Sequence, residues 1–349
     1  MINNSFFSTE ILRWFRENGR DLPWRETRDP YAIWLSEIIL QQTRIAQGWE
    51  YWERFMQTYP KVEDLAAASE DDVLKLWQGL GYYSRARNLH TAAKQIVALG
   101  DFPNTLDGIK SLKGVGDYTA AAIGSFAFDI PAAVVDGNVY RVLSRYFGID
   151  TPINSTQGKK EFAALAQSLL PASDAASYNQ GMMDFGAIQC TPQSPKCLLC
   201  PLAETCEALR CGRVEELPVK NKTVKVKTRH LSYIYIRCKS LAADDTGISE
   251  PMVAIHRRGE GDIWQGLWEP YNVSDVKELP SFVKNPILLA KDVKHVLTHR
   301  ILLADFYLLE TETCPQLPDD YIWIKESEIE DYGVPRLIEI MLEKINPAE

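Results

Sequence analysis

Two carboxylates, two glycines and four cysteines are the residues of this chain whose types and spacing could do chemistry. Glu37 sits in the middle of YAIWLSEIILQQT, a stretch apolar on nearly every side, with Ile33 and Leu40 on the same helical face. A helix of that kind is buried all round. A carboxylate inside it is costly unless it is paired or protonated. Two readings follow: a structural carboxylate satisfied by a helix N-terminus or an arginine, or a general acid whose proton is held by desolvation. Asp136 precedes Gly137 and Asn138 at a loop-to-helix junction, where it could serve as an N-cap or face a reacting group. LKGVGDYTA places Gly114 and Gly116 in a tight turn before a second helix near Tyr118. Such a turn lets amide N–H groups approach a phosphate. It also suits a plain helix hairpin. Cys190, Cys197, Cys200 and Cys206 are spaced C-x6-C-x2-C-x5-C. One C-x2-C pair and no histidine favour an iron–sulfur cluster over structural zinc.

The chain that must position these groups has 349 residues, enough for two cores. No run is long and apolar enough to span a membrane, and the N-terminus lacks a signal-peptide pattern, so a cytoplasmic protein is expected. The net charge of −9 speaks against a nucleic-acid partner only weakly, because a basic face can coexist with an acidic remainder. Seven cysteines, four in one window, indicate metal ligation in a reducing compartment.

Along the chain, Ser8 is expected to cap a first helix carrying Ile11, Leu12, Trp14 and Phe15. Asp29-Pro30 starts the helix of Glu37. That helix ends in polar Gln41, Gln42, Thr43 and Arg44, where Gln42 is either solvated surface or a probe inserted between bases. GLGYYSRARNLH sets Tyr82 and Tyr83 beside Arg85 and Arg87, suited to base stacking and phosphate contact or to capping a core. Further helices are predicted over Gln157–Leu170 and Asp174–Ile188. No strand pattern precedes residue 225, so the first part is all-α. Lys220, Lys222, Lys225, Lys227 and Arg229 make a basic run, either a solvated linker or a contact for the DNA backbone. Beyond it LSYIYIR, MVAIHR, ILLADFYLLE and YIWI read as strands, with a last helix after Pro335. The expected organisation is a helical domain over 1–212, a basic linker over 213–229 and an α+β domain over 230–349.

SEIILQQT, GLGYYSRARNLH, LKGVGDYTA, VVDGNVYR and the four-cysteine loop, in this order, resemble the helix-hairpin-helix DNA glycosylase superfamily, most closely its MutY-type adenine DNA glycosylases. The resemblance covers about residues 5–212 and, more loosely, the remainder. It implies removal of adenine mispaired with 8-oxoguanine or guanine in duplex DNA, a [4Fe–4S] cluster on the four cysteines, and a monomer. By the same resemblance Glu37 would protonate the adenine ring, and Asp136 would stabilise the sugar cation or bond transiently to C1′. Tyr118 and Asn138 would support the reacting sugar. Gln42 and Tyr82 fall at wedge positions beside the lesion, with Thr43 following Gln42. Trp24, Arg25, Leu40 and Asp184 fall at adenine-pocket positions. Endonuclease III-type relatives carry a Schiff-base lysine where this chain has Tyr118, which implies a monofunctional glycosylase that leaves an abasic site. The C-terminal domain resembles a Nudix fold that recognises 8-oxoguanine, and it lacks the carboxylate series of a diphosphatase. Where the family's recognition loop reads Phe-Ser-His, this chain has Leu297, Thr298 and His299, so the aromatic is missing. An endonuclease III-like enzyme acting on oxidised pyrimidines and a non-catalytic binder of damaged DNA are the alternatives.

Overall fold

The structure, a computed structural model, describes residues 4–221, 226–239, 250–273 and 282–346. Lys222 and Lys225 of the basic run lie outside the described residues. In chain order the helices are α1 (Asn4–Asn18), α2 (Pro30–Ile39), α3 (Ile45–Thr58), α4 (Val62–Ala67), α5 (Glu70–Leu76), α6 (Ser84–Leu99), α7 (Leu106–Lys110), α8 (Asp117–Phe128), α9 (Gly137–Phe147), α10 (Thr156–Leu169), α11 (Ala175–Asp184), α12 (Glu207–Arg210) and α13 (Arg336–Ile345). The strands are β1 (Lys227–Cys238), β2 (Met252–Arg257), β3 (Trp268–Glu269), β4 (Tyr271–Val273), β5 (Ile287–Val296), β6 (Arg300–Thr311) and β7 (Tyr321–Lys325). By packing the chain divides into two units, Met1–Ala66 with Thr91–Lys222, and Ala67–His90 with Thr223–Glu349. Among the described residues no helix is long and apolar enough to cross a membrane.

The first unit is helical. Asp29 caps α2 by accepting a 3.0 Å hydrogen bond from the Tyr31 N–H, with Pro30 at the first helical position. Every residue of α2 from Tyr31 to Ile39 is buried, as its all-round apolar character requires. A second core gathers Phe7, Ile11 and Trp14 of α1, Val142, Leu143 and Tyr146 of α9, and Phe162 of α10. Ser8 does not cap α1. The helix starts at Asn4, and the Ser8 hydroxyl lies inside it, donating to the Leu169 carbonyl at 2.6 Å. The apolar stripe begins at Phe7, so the helix needs a turn before Ser8 to present it. The helix expected to run to Ile188 also differs: α11 ends at Asp184 and a π-helical turn, Phe185–Gln189, continues it.

The second unit is a mixed sheet with strand order β3-β2-β1-β6-β5, in which β4 also pairs with β1 and β7 with β2. β1 and β6 run parallel through twelve residue pairs, Lys227↔Arg300 to Cys238↔Thr311. Alternation along β1 sorts its side chains between two cores. Leu231, Tyr233 and Tyr235 pack with Leu337, Ile338 and Met341 of α13, while Ile234 and Ile236 pack on the other face with Ala254 and Leu309. β3, β4 and β5, which the sequence pattern does not predict, carry no legible alternation. The stretch expected as linker is split: Leu217 is buried in the helical unit, its carbonyl accepting from Arg145 Nε at 3.0 Å, whereas Lys227 and Arg229 already belong to β1. Residues 67–90, expected in the helical domain, pack in the sheet unit.

Gly158 in the first turn of α10 illustrates how tightly the helical unit is closed. A Cβ built there would lie 2.2 Å from the Pro152 carbonyl oxygen, a backbone atom that cannot swing away. Gly158→Ala is expected to cost about 1–3 kcal/mol in urea unfolding; unchanged stability would show that the loop before α10 yields.

Candidate active site and iron–sulfur loop

α2, α8 and α9 bring their chemistry into one cleft of about 630 Å3. Its walls include Glu37, Leu40, Gln42 and Thr43 from α2 and the turn after it, Trp24 and Arg25, Tyr118 from α8, and Asp136 and Asn138 at the start of α9. Nine residues singled out in the sequence therefore meet in one place. Gln42 adopts φ +59°, a left-handed conformation unusual for a glutamine and of the kind that concentrates at functional sites. Trp24 is wedged edge-on against Trp49 and Trp52, with ring centroids 5.9 and 5.7 Å away.

Glu37 is 7% exposed. Burial pushes its carboxyl up to about 7, opposed by the Tyr118 hydroxyl, reinforced by the charge of Asp136 and opposed by Arg25. Tyr118 donates to Glu37 Oε2 at 2.9 Å. Its own ionisation is driven well above the ordinary range, first by burial and then by the neighbouring carboxylates, so it remains a donor. Asp136 is both the cap of α9 and a cleft residue. Its carboxylate accepts from the Val139 N–H and from Asn138 Nδ2, both at 2.8 Å. Burial holds the Asp136 pKa above the ordinary aspartate value; these hydrogen bonds and Arg141 oppose the rise without reversing it. The two carboxyls are thus held differently, one by an apolar helix and one by N–H donors.

Asp184 does not line the cleft, contrary to expectation. It is fully buried, and its carboxylate receives Arg25 Nη1 and Nη2 at 2.9 Å each, together with the Arg20 N–H and guanidinium. An aspartate is too short to pass these arginines, so it holds Arg25 at the wall instead of reaching the cavity. The pull of Arg25 and Arg20 keeps Asp184 below the usual carboxylate range despite burial.

The hairpin is built from α7, capped by Thr105, and α8. Gly114 has φ +79°, where a side chain would be strained. Gly116 caps α8 without a side chain, and the space where a Cβ would stand is open.

Sequence reasoning missed Arg141 and Arg145, one turn apart on α9. Arg141 Nη2 donates to Asn138 Oδ1 at 2.7 Å and to the Gly186 carbonyl at 2.6 Å, and its Nε reaches the Cys190 carbonyl at 2.8 Å. Arg145, 3% exposed, donates to the carbonyls of Thr191 and Pro192. Their spacing matched any amphipathic helix; their partners lie about fifty residues on, which no local pattern announces. Gly186 is needed here, since a Cβ would meet Asn138 Cβ at 2.5 Å.

Cys190, Cys197, Cys200 and Cys206 line one small cavity of about 30 Å3. Among the described residues no three His, Cys, Asp or Glu are gathered closely enough to hold a single metal ion. Four cysteines around a common space, with one C-x2-C pair and no histidine, are a donor set that suits an iron–sulfur cluster. Burial raises the Cys200 thiol to about 12, so a cationic centre is what would make it a thiolate.

Tyr82, Leu297, Thr298 and His299 line a second cavity, of about 560 Å3, within the sheet unit. The Tyr82 hydroxyl and Thr298 Oγ1 share a 2.6 Å hydrogen bond. Tyr82 is largely exposed and adopts φ +47°.

Glu37 links the site to stability. Its folded pKa of about 7 lies above the ordinary 4.5, so the stability contributed by its proton is complete below about 4.5 and lost as pH rises through about 7. Glu37→Gln keeps the shape and removes the titration. Relative to the parent it should gain up to about 3 kcal/mol between pH 4.5 and pH 8 in urea unfolding. An equal difference at both pH values would mean that Glu37 ionises normally.

Residues 35–171 match the HhH-GPD superfamily of base excision DNA repair proteins, residues 190–206 the iron–sulfur binding domain of endonuclease III, and residues 248–344 the NUDIX domain. An adenine DNA glycosylase of Buchnera aphidicola (from Schizaphis graminum) is 31% identical over 350 residues, covering 97% of this chain and 98% of its own. The Mus musculus adenine DNA glycosylase is 42% identical over 226 residues, covering 61% of this chain; the match spans 44% of the mouse protein's length. Among solved structures, a thermostable thymine-DNA glycosylase superposes with a TM-score of 0.56 at 34% identity, over 60% of this chain and 97% of its own. With a helical base-excision domain, an iron–sulfur loop and a Nudix-like domain in this order, the chain belongs to the adenine DNA glycosylase family.

Proposed function

We propose that the chain is a monofunctional glycosylase that hydrolyses the N-glycosidic bond of adenine opposite 8-oxoguanine, or guanine, in duplex DNA. The observation that carries this reading is the hydrogen bond from Tyr118 to a buried, proton-holding Glu37 in the cleft that also contains Asp136. Adenine is a poor leaving group from deoxyribose. Glu37 gives its proton to an adenine ring nitrogen, the C1′–N9 electron pair leaves with the base, and positive charge develops on the sugar. Asp136, fixed by the Val139 and Asn138 donors, stabilises that cation through its carboxylate or bonds to C1′ until water replaces it. The adenine reaches the cleft only by leaving the stack, at a cost of a few kcal/mol. Gln42 and Tyr82, both in left-handed backbone conformations, are the side chains proposed to enter the duplex. The first-turn amides that follow Gly116 are proposed as the phosphate grip.

Tyr118 stands where a lyase needs a lysine, and a phenol cannot form a Schiff base. In the cysteine loop, Cys190, Cys197, Cys200 and Cys206 would hold a [4Fe–4S] cluster. Bound there, the cluster would cross-link the loop that Arg141 and Arg145 tie to α9. In the sheet unit, Thr298 and His299 are proposed to read the lesion.

The deciding assay uses a duplex with adenine opposite 8-oxoguanine, followed by alkali. The parent protein should give strand cleavage only after alkali and no borohydride-trapped adduct at turnover rates. Cleavage without alkali would favour a lyase, and no cleavage at all would leave a binder. Glu37→Gln should lower the single-turnover rate by about 100-fold or more while retaining duplex binding. For the cluster, the protein as isolated should be brown with a broad visible absorption that Cys200→Ser removes. A colourless, zinc-loaded protein would overturn that assignment.

A further inference from the structure

The loop joining β2 to β3 carries an unusual residue. Its ends are closed by backbone hydrogen bonds from Arg258 N–H to Leu267 O at 2.8 Å and from Gly266 N–H to Arg258 O at 2.9 Å. Inside, the Asp262 carboxylate accepts from the Ile263 N–H and pairs with Arg229, Arg258 and Arg300. At the tip, Trp264 adopts φ +60°. A bulky side chain in that region is a true outlier and persists only where the surroundings over-determine it. Trp264 is half-buried, with His295 at 5.8 Å between ring centroids and the Arg258 guanidinium 5.8 Å from its ring. It lines the same cavity as Tyr82, Leu297 and Thr298. Arg300 ties the two loops together: its guanidinium reaches Asp262 at 3.1 Å, and its carbonyl accepts from the Leu297 N–H at 2.8 Å, closing the turn that presents Thr298 and His299.

We propose that Trp264 is a specificity-determining residue that offers its aromatic face to the purine opposite the excised adenine, the surface that Leu297 does not provide. The inference rests on the reading of this cavity as the lesion-recognition site. The cavity already holds an exposed tyrosine and a hydroxyl, so it has one stacking group and one polar reader. A second aromatic face on a pinned loop completes a surface for a flat π-system; stacking accepts either purine, and its part in specificity is to hold the base against the Thr298 hydroxyl that tells the two apart. The charged network behind it explains why the strained backbone holds: three arginines converge on one carboxylate, and two of them belong to β1 and β6.

The test compares single-turnover cleavage of adenine opposite 8-oxoguanine and opposite guanine in four proteins: the parent, Trp264→Met, Trp264→Phe and Thr298→Ala. Base–aromatic stacking of the usual strength corresponds to about a tenfold effect. Trp264→Met should lower the 8-oxoguanine-to-guanine rate ratio by about that factor, and Trp264→Phe should restore most of it. Loss of both rates in equal proportion in the Met and Phe variants would make Trp264 a structural residue and overturn the proposal. An unchanged ratio in Trp264→Met with a lowered one in Thr298→Ala would overturn it while sparing the lesion-recognition reading; no change in either would sink both. If Trp264→Met fails to give a cooperative thermal melt, Asp262→Asn, which loosens the loop and keeps the ring, takes its place. It should lower the ratio, and an unchanged ratio would count against the proposal.

Discussion

A carboxyl group buried on an apolar helix is the constraint on which the rest of the helical unit depends. Glu37 could sit in water at no cost; inside α2, with every neighbour from Tyr31 to Ile39 buried, it must keep its proton or find a donor. It does both. The hairpin sets Tyr118 in the first turn of α8 so that the phenol donates to it, and the start of α9 sets Asp136 in the same cleft. A free arginine nearby would draw the proton off. Arg25 does oppose the proton, but its guanidinium is paired with Asp184, which accepts both arms from a site sealed from solvent. The aspartate that fails to reach the cavity therefore still shapes it.

The second carboxylate depends on a longer chain of contacts. Asp136 is fixed by Asn138, Asn138 by Arg141, and Arg141 by the carbonyls of Gly186 and Cys190. The cysteine loop contains little regular structure, so its carbonyls have few helical partners and the buried arginines satisfy them. Arg145 does the same for Thr191 and Pro192. Two guanidiniums on one helix thus connect the loop to the residues around Asp136. Planar, multi-donor groups do this better than lysines would, because each can address several oxygens at once.

In the sheet unit the corresponding device is Asp262. One carboxylate collects arginines from β1, β6 and the residue after β2, and so holds a loop and a hairpin turn in register. The sheet beneath carries a packed cluster on each face, and the cavity with Thr298 and His299 lies at these loop ends.

Local pattern was enough for α2, for the glycine turn, for the capping aspartate and for the alternation of β1, because each is a preference written within about ten residues. Glu37 stood out for the same reason: a charge in an apolar period needs either a partner or a proton. The cysteine spacing likewise carried its own chemistry. Residues 67–90 fall inside the expected helical domain by position, yet they pack with the sheet, because their apolar side chains suit either core and only the folded chain decides between them. Asp184 read as a pocket residue from its position, and Arg141 and Arg145 read as nothing in particular. Their roles depend on partners forty-five or more residues distant, brought within hydrogen-bonding range by packing. The sequence by itself determined which groups could carry a proton, a phosphate or a metal. Tertiary structure alone decided which of them share a cleft, since burial and long-range hydrogen bonds, the terms that set a carboxyl's proton affinity, do not exist until the chain has closed around it.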